Sequence, residues 1–252
     1  MGLASSGMAT PGRMLECASS SYRTSTATSR RSARLSRQSR AWTRSCASAT
    51  ALTTGRPRTK WFHGSDITQA RAVRGNHDNA VAFDEGCRSA PLFRRLSVES
   101  RKKTVPLLSA DNLTFLRSLP ARKSVLVDGR RVELLHAAPG DPLFQYLPAT
   151  RVEEWRSAAA EIDADLVLVG HTHLPVILDL GEKRVVNPGS VGLPRDGDPR
   201  ACYATIDRGS PVLRRVGYDV ARTIAALRAW GLPEDVTRSL ESLYRGGNPV
   251  ST

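Results

Sequence analysis

Apolar positions are distributed unevenly along the 252-residue chain. Positions 1–65 hold only five Leu, Ile, Val or Phe residues: Leu3, Leu15, Leu35, Leu52 and Phe62. From about Ala70 onward apolar residues return with regular spacing, and the pattern predicts a series of elements. Residues 72–73 predict a short strand leading into a polar turn, Arg74-Gly75-Asn76-His77-Asp78. Residues 91–104 and 111–119 predict helices, the second with Leu113, Leu116 and Leu119 on one side and Asp111 as N-cap. Apolar runs at 124–128 and 131–135 flank Asp128-Gly129, a hairpin turn, and the second run ends at His136. Residues 151–162 predict a helix, and 165–169 a buried strand that stops at Gly170-His171-Thr172-His173. Strands follow at 175–180, 183–187, 201–207 and 211–218, and helices at 219–231 and 233–245 close the chain. Strands and helices mixed without regular β-α-β alternation predict an α+β fold of layered sheets flanked by helices.

Charge divides the chain at the same place. Of 37 Lys and Arg and 24 Asp and Glu overall, residues 1–65 contain 11 basic residues and one acid, Glu16. Ser and Thr fill 22 of those 65 positions. Such a segment buries too little apolar surface to offset ordering its backbone, so 1–65 is expected to be a disordered basic Ser/Thr/Arg-rich segment and 66–252 the folded domain. The net charge of +13 therefore belongs mainly to a tail. A basic nucleic-acid-binding arm is the rival interpretation, but the tail lacks interleaved aromatics or a binding motif, which argues against nucleic acid. An Arg/Ser-rich organellar transit peptide has a similar composition. No run of 18 apolar residues suggests a membrane span. Cys17, Cys46, Cys87 and Cys202 are too scattered for a disulfide framework or zinc ribbon, so a cytoplasmic protein is expected.

Four of the five His fall at predicted strand ends: His77, His136, His171 and His173, with His63 apart. Taken singly, such a His is more often a surface or hydrogen-bonded residue, and Asp78 alone a turn former. Together with Asn76, each after an apolar strand, they present imidazole nitrogen and amide or carboxylate oxygen, the donors that borderline divalent metals favour. Gly75 and Gly170 let the backbone approach closely.

The motifs Gly75-Asn76-His77-Asp78, His136-Ala137-Ala138-Pro139, Gly170-His171-Thr172-His173 and Asn187-Pro188-Gly189-Ser190-Val191-Gly192 occur in the order found in calcineurin-like metallophosphoesterases. The chain resembles the small prokaryotic branch of that family over residues 70 to about 245, including Pro194-Arg195-Asp196-Gly197-Asp198-Pro199-Arg200. The resemblance implies a four-layer α-β-β-α sandwich and hydrolysis of a phosphoester, a small molecule or nucleotide, with two divalent transition-metal ions (Mn, Fe, Zn, Ni or Co). It implies that Asn76, His136 and His171 bind one metal and His173 the other. His77 is implied to stabilise the phosphate or protonate the leaving oxygen, with Asp78 orienting it. Gly189 and Ser190 are expected to shape a turn. Arg195 and Asp196 either border the pocket or belong to a solvated turn. The family motifs leave substrate and oligomeric state open.

Two family motifs are missing. D-x-H and G-D-x-x-D precede G-N-H-D in the family, supplying further ligands and the bridging aspartate, and residues 1–69 contain neither. Asp66 is the one Asp there. A shifted reading frame accounts for the loss. Codons built from the last base of each codon and the first two of the next can spell Asp-Ile-His-Gly-Asn across residues 23–28. Trp42-Thr43 must then give Asp, and 48–53 permit G-D-x-x-D. Normal framing would return between about residues 64 and 70. The expected product is a fold without its first strand, helix and second strand, with impaired hydrolysis. The alternative is a catalytically inactive remnant or weak phosphate- or one-metal-binding protein.

Overall fold

In the computed structural model the described residues are 13–15, 72–89, 91–127, 129–207 and 209–247. The expected disorder of 1–65, the hidden motifs, His63 and Asp66 all lie outside them, Arg13–Leu15 excepted. Eight strands run in chain order: β1 (Arg13–Leu15), β2 (Arg122–Val127), β3 (Arg130–Leu135), β4 (Leu166–Leu168), β5 (Pro175–Asp179), β6 (Arg184–Pro188), β7 (Ala201–Asp207) and β8 (Ser210–Val216). The helices are α1 (Asn76–Phe83), α2 (Pro91–Thr104), α3 (Ala110–Ser118), α4 (Val152–Ala160), α5 (Val220–Ala229) and α6 (Glu234–Tyr244).

The strands form two sheets, one of order β2-β3-β4-β6-β5 and one of order β1-β7-β8. In the first, β3, β4 and β6 are mutually parallel neighbours, and β2 and β5 close the edges antiparallel. Alternation along these strands assigns each residue to a face. Val132 and Leu134 of β3, Leu166 and Leu168 of β4 and Val186 of β6 point one way and meet Ala204 and Ile206 of β7. Leu135, Val167 and Val185, on the opposite face, meet Trp155 and Ala159 of α4. The α+β fold thus stacks α4, the five-stranded sheet and the three-stranded sheet as three layers. Helices α2, α5 and α6 form a separate cluster, in which Val236, Leu240 and Leu243 repeat at helical spacing against Leu96, Ile224, Leu227 and Leu193.

The observed bounds follow the sequence pattern within a residue or two, with four differences. Residues 72–75 are extended but belong to no strand; the Arg74 amide donates to the Pro120 carbonyl at 2.7 Å, and no strand lies alongside among the described residues. Asn76-His77-Asp78 is the first turn of α1 rather than a turn, because Asp78 Oδ2 accepts from the Gly75 amide at 2.8 Å and so caps a helix start. The N-cap of α3 is Ser109, whose side chain accepts from the Asn112 amide, and Asp111 instead lies in the first turn. Finally, Arg13–Leu15 pair antiparallel with Ile206, Thr205 and Ala204 of β7, within a segment whose composition predicted no structure. An open strand edge offers main-chain hydrogen bonds to any extended segment, whatever its side chains.

Candidate metal centre

Parallel strands deliver their C-terminal ends to one side of a sheet, and ligand sites in such sheets form there. Leu134 of β3 pairs with Leu168 of β4, and Leu168 with Val186 of β6. The residues just beyond, His136, Gly170-His171-Thr172-His173 and Asn187, therefore emerge together. The ladder continues into the loops: the Gly170 amide donates to the His136 carbonyl at 2.8 Å. Asn187 Nδ2 donates to the Gly170 carbonyl at 2.6 Å and Thr172 Oγ1 at 3.0 Å, while its Oδ1 accepts from the Gly189 amide at 2.9 Å. Asn187 thus staples the two loops together.

Three of the expected donors converge. His136 Nε2 lies 3.0 Å from Asn76 Oδ1 and 3.2 Å from His171 Nδ1. Asn76 is fixed from its other end, Nδ2 donating to the Cys87 carbonyl at 2.8 Å. The approach of α1 to His136 requires Gly75, where a Cβ would stand 3.0 Å from His136 Nδ1. Two donors at right angles about a metal, each at about 2.1 Å, lie about 3.0 Å apart, so these spacings fit neighbouring positions on one ion. His171 and His173 both take left-handed backbone conformations, φ 63° and 61°. Sparsely populated backbone of this kind persists where surrounding structure over-determines it, and it clusters at functional sites.

His173 is buried, and its Nδ1 donates to the Leu193 carbonyl at 2.7 Å, which leaves Nε2 as its lone-pair donor. The Leu193 amide is held in turn by Ser190 Oγ at 2.8 Å, so Ser190 shapes the turn that orients His173. Among the described residues no three His, Cys, Asp or Glu side chains group to hold a metal. What meets at one point is two imidazoles and an amide, with His173 held separately by the Leu193 carbonyl.

His77 is half-buried, with Nδ1 3.1 Å from Ser97 Oγ. Asp78 Oδ2 accepts from the Gly75 amide at the start of α1, and Ser97 Oγ stands beside His77 Nδ1. Burial, then the charges of Arg195 and His171, lower the His77 pKa to about 4. Burial and Arg195 also lower His171 to about 4. His136 and His173 are pushed well below the usual imidazole range, again chiefly by burial. All four are thus neutral at neutral pH, the form that carries a lone pair for a metal. Ser97 and Asn187 carried no assigned role in the sequence. Ser97 lies 20 residues from His77 on another helix, and no local spacing marks it; Asn187 belonged to a recognised motif. Asp196 pairs with Arg215, so it braces its own turn.

Comparison with known proteins identifies the family. The family model described as the calcineurin-like phosphoesterase superfamily domain matches residues 55–210. An uncharacterized protein of Methanocaldococcus jannaschii is 31% identical over 181 residues, covering 65% of this chain and 71% of that protein. Phosphodiesterase YfcE of Escherichia coli is 31% identical over 138 residues, 52% of this chain and 67% of its own. The crystal structure of a metallophosphoesterase from Sphaerobacter thermophilus superposes with a TM-score of 0.56 at 30% identity, covering 70% of this chain and 78% of that one. A family match across more than half of the chain, with the strand-end donors gathered at one point, places it among known hydrolases: the chain belongs to the calcineurin-like phosphoesterase superfamily.

Proposed function

We propose that this site binds a small phosphoester or nucleotide and belongs to a metal-dependent phosphoester hydrolase whose activity is impaired in this chain. The observation that carries the proposal is the contact of His136 Nε2 with both Asn76 Oδ1 and His171 Nδ1. Divalent transition metals there, Mn, Fe, Zn, Ni or Co, would polarise phosphoryl oxygens and acidify a bound water. The chain's own groups set the rest. Ser97 Oγ stands 3.1 Å from His77 Nδ1, and with the hydroxyl as donor the imidazole proton sits on Nε2. A neutral His77 then donates that N–H to a phosphoryl oxygen, a better match to its low pKa than full protonation of a leaving group. Asn187 and Gly170 hold the loop that carries both later histidines.

Impairment follows from the donor count. Three side chains serve one ion and His173 the other, and no carboxylate among the described residues bridges them. A shifted frame upstream of residue 70 supports the same conclusion, since it would remove the missing aspartates while leaving these donors intact. The cytoplasm is the proposed compartment; no helix among the described residues is long and apolar enough to cross a membrane.

The test compares the full chain with the product of a gene whose frame is restored over residues 16–66. Mn²⁺ binding is measured by calorimetry and hydrolysis with bis(p-nitrophenyl) phosphate. The chain is expected to bind one ion through His136 and to hydrolyse at least about a hundredfold more slowly than the restored protein, the scale of losing one electrostatic stabiliser. Mn²⁺ affinity unchanged by His136→Ala would overturn the assignment of the centre. Equal activity of the two proteins would overturn the impairment.

A further inference from the structure

The segment that follows β6 crosses the site. Leu193 holds His173 through its carbonyl, and two residues later the Arg195 guanidinium lies over the Phe93 ring, 3.7 Å from its centroid. Phe93 and Ser97 are four residues apart on α2 and so share one face of that helix. The same face therefore seats Arg195 and anchors His77, which brings guanidinium and imidazole to one side of the centre.

Arg195 is unlike the other arginines of its loop. Arg200 and Arg215 are paired with Asp196 and Asp198. Among the described residues Arg195 has no carboxylate within ion-pair distance, and its Nε is buried without a hydrogen-bond partner. Burial lowers its pKa to about 10, so it remains a cation, and its charge is felt at His77, His171 and His173. Stacking on Phe93 holds the guanidinium in place but satisfies none of its N–H groups. A partly desolvated guanidinium with open donors is costly unless an anion completes it. Its planar fork matches the oxygens of a tetrahedral oxyanion.

We propose that Arg195, seated on Phe93, is the anion anchor of this site, binding the phosphoryl group of a phosphoester beside His77 without need of a metal ion. Only the identity of the anion rests on the hydrolase proposal. The anchor also gives Arg195 the pocket-bordering position left open by the sequence.

The test titrates inorganic phosphate into the full chain in excess EDTA at neutral pH, followed by calorimetry. Wild type is expected to bind saturably, Arg195→Gln about tenfold or more weakly, the scale of a charged hydrogen bond, and Arg195→Lys to retain part of the affinity. Melting temperatures without phosphate are expected to match. Equal affinity in wild type and Arg195→Gln, or no binding by wild type, overturns the anchor. If Arg195→Gln does not fold, Phe93→Leu carries the test: the charge stays, the platform goes, and an unchanged phosphate affinity overturns the proposal. Phosphate binding in EDTA together with absent Mn²⁺ binding keeps the anchor and removes the hydrolase proposal. Mn²⁺ binding without phosphate binding does the reverse.

Discussion

The candidate site draws its residues from two regions that are built differently. His136 and His171 stand at the ends of β3 and β4, interior strands of a five-stranded sheet buried on both faces by separate apolar clusters. Asn76 and His77 arrive on an extended segment and a short helix outside both sheets, held by the Arg74–Pro120 hydrogen bond, by Val73 in the inter-sheet cluster and by Ala72, Val81 and Ala82 against α3. Positioning by a sheet follows from the ladder alone. Positioning of Asn76 depends instead on a few specific contacts, among them Gly75 against His136 and the Cys87 carbonyl. The lesson is that one half of a site can be fixed by a sheet while the other half depends on local fit.

Stability should show the contrast most strongly. Val185→Ala, in the interior of the five-stranded sheet, is expected to cost about 2–3 kcal/mol in urea denaturation, whereas the same change at Val81 of α1 should cost about 1 kcal/mol, because the looser segment can close over the gap. Comparable losses would break the distinction. Next in size, His171→Ala and Asn76→Ala should each weaken Mn²⁺ binding by about a hundredfold or more, at or above the upper end of what an outer-sphere change costs. If only His171→Ala does so, the segment from residue 72 is not part of the centre. Gly75→Ala sharpens the point: its Cβ crowds the His136 ring, so Mn²⁺ affinity should fall while the melting temperature changes little.

Acid should act on both regions together. The folded pKa values of His77 and His171 are about 4 against an ordinary 6.5, so between those values the unfolded chain binds more protons than the folded one. Stability is therefore fully present above about pH 6.5 and is lost as pH falls toward 4. His171→Gln should flatten that slope in metal-free urea titrations; an unaltered slope would place the acid sensitivity elsewhere. The smallest expected effect is on the surface of α4, where removing the exposed Arg151–Glu154 pair with Glu154→Ala should shift stability by no more than about 1 kcal/mol.

The parts of the molecule governed by short-range pattern were legible in the sequence. The runs ending at His136 and Gly170 are short, mostly apolar stretches of the kind that form strands buried on both faces, and two parallel strand ends bring their next residues together. The amphipathic spacing of α6 was equally plain. Asn76-His77-Asp78 was harder, since Asn and Asp favour both turns and helix starts, and the choice was made by the Gly75 amide finding Asp78. The partners of His77 and Arg195 were not legible. Ser97 and Phe93 reach the site only because α2 folds across it, a contact between distant parts of the chain that no local spacing encodes. Nor could composition anticipate β1, which owes its existence to the edge of β7.

That short strand separates two kinds of information carried by a polypeptide. The edge of β7 reads only amide and carbonyl groups, which every residue but proline supplies alike, so a stretch with unrelated side chains can still be laid down as a strand. Coordination of a transition metal depends mainly on side-chain donors. A strand edge can therefore order a segment whose side chains take no part in the chemistry, so the extent of an architecture and the extent of a site need not coincide.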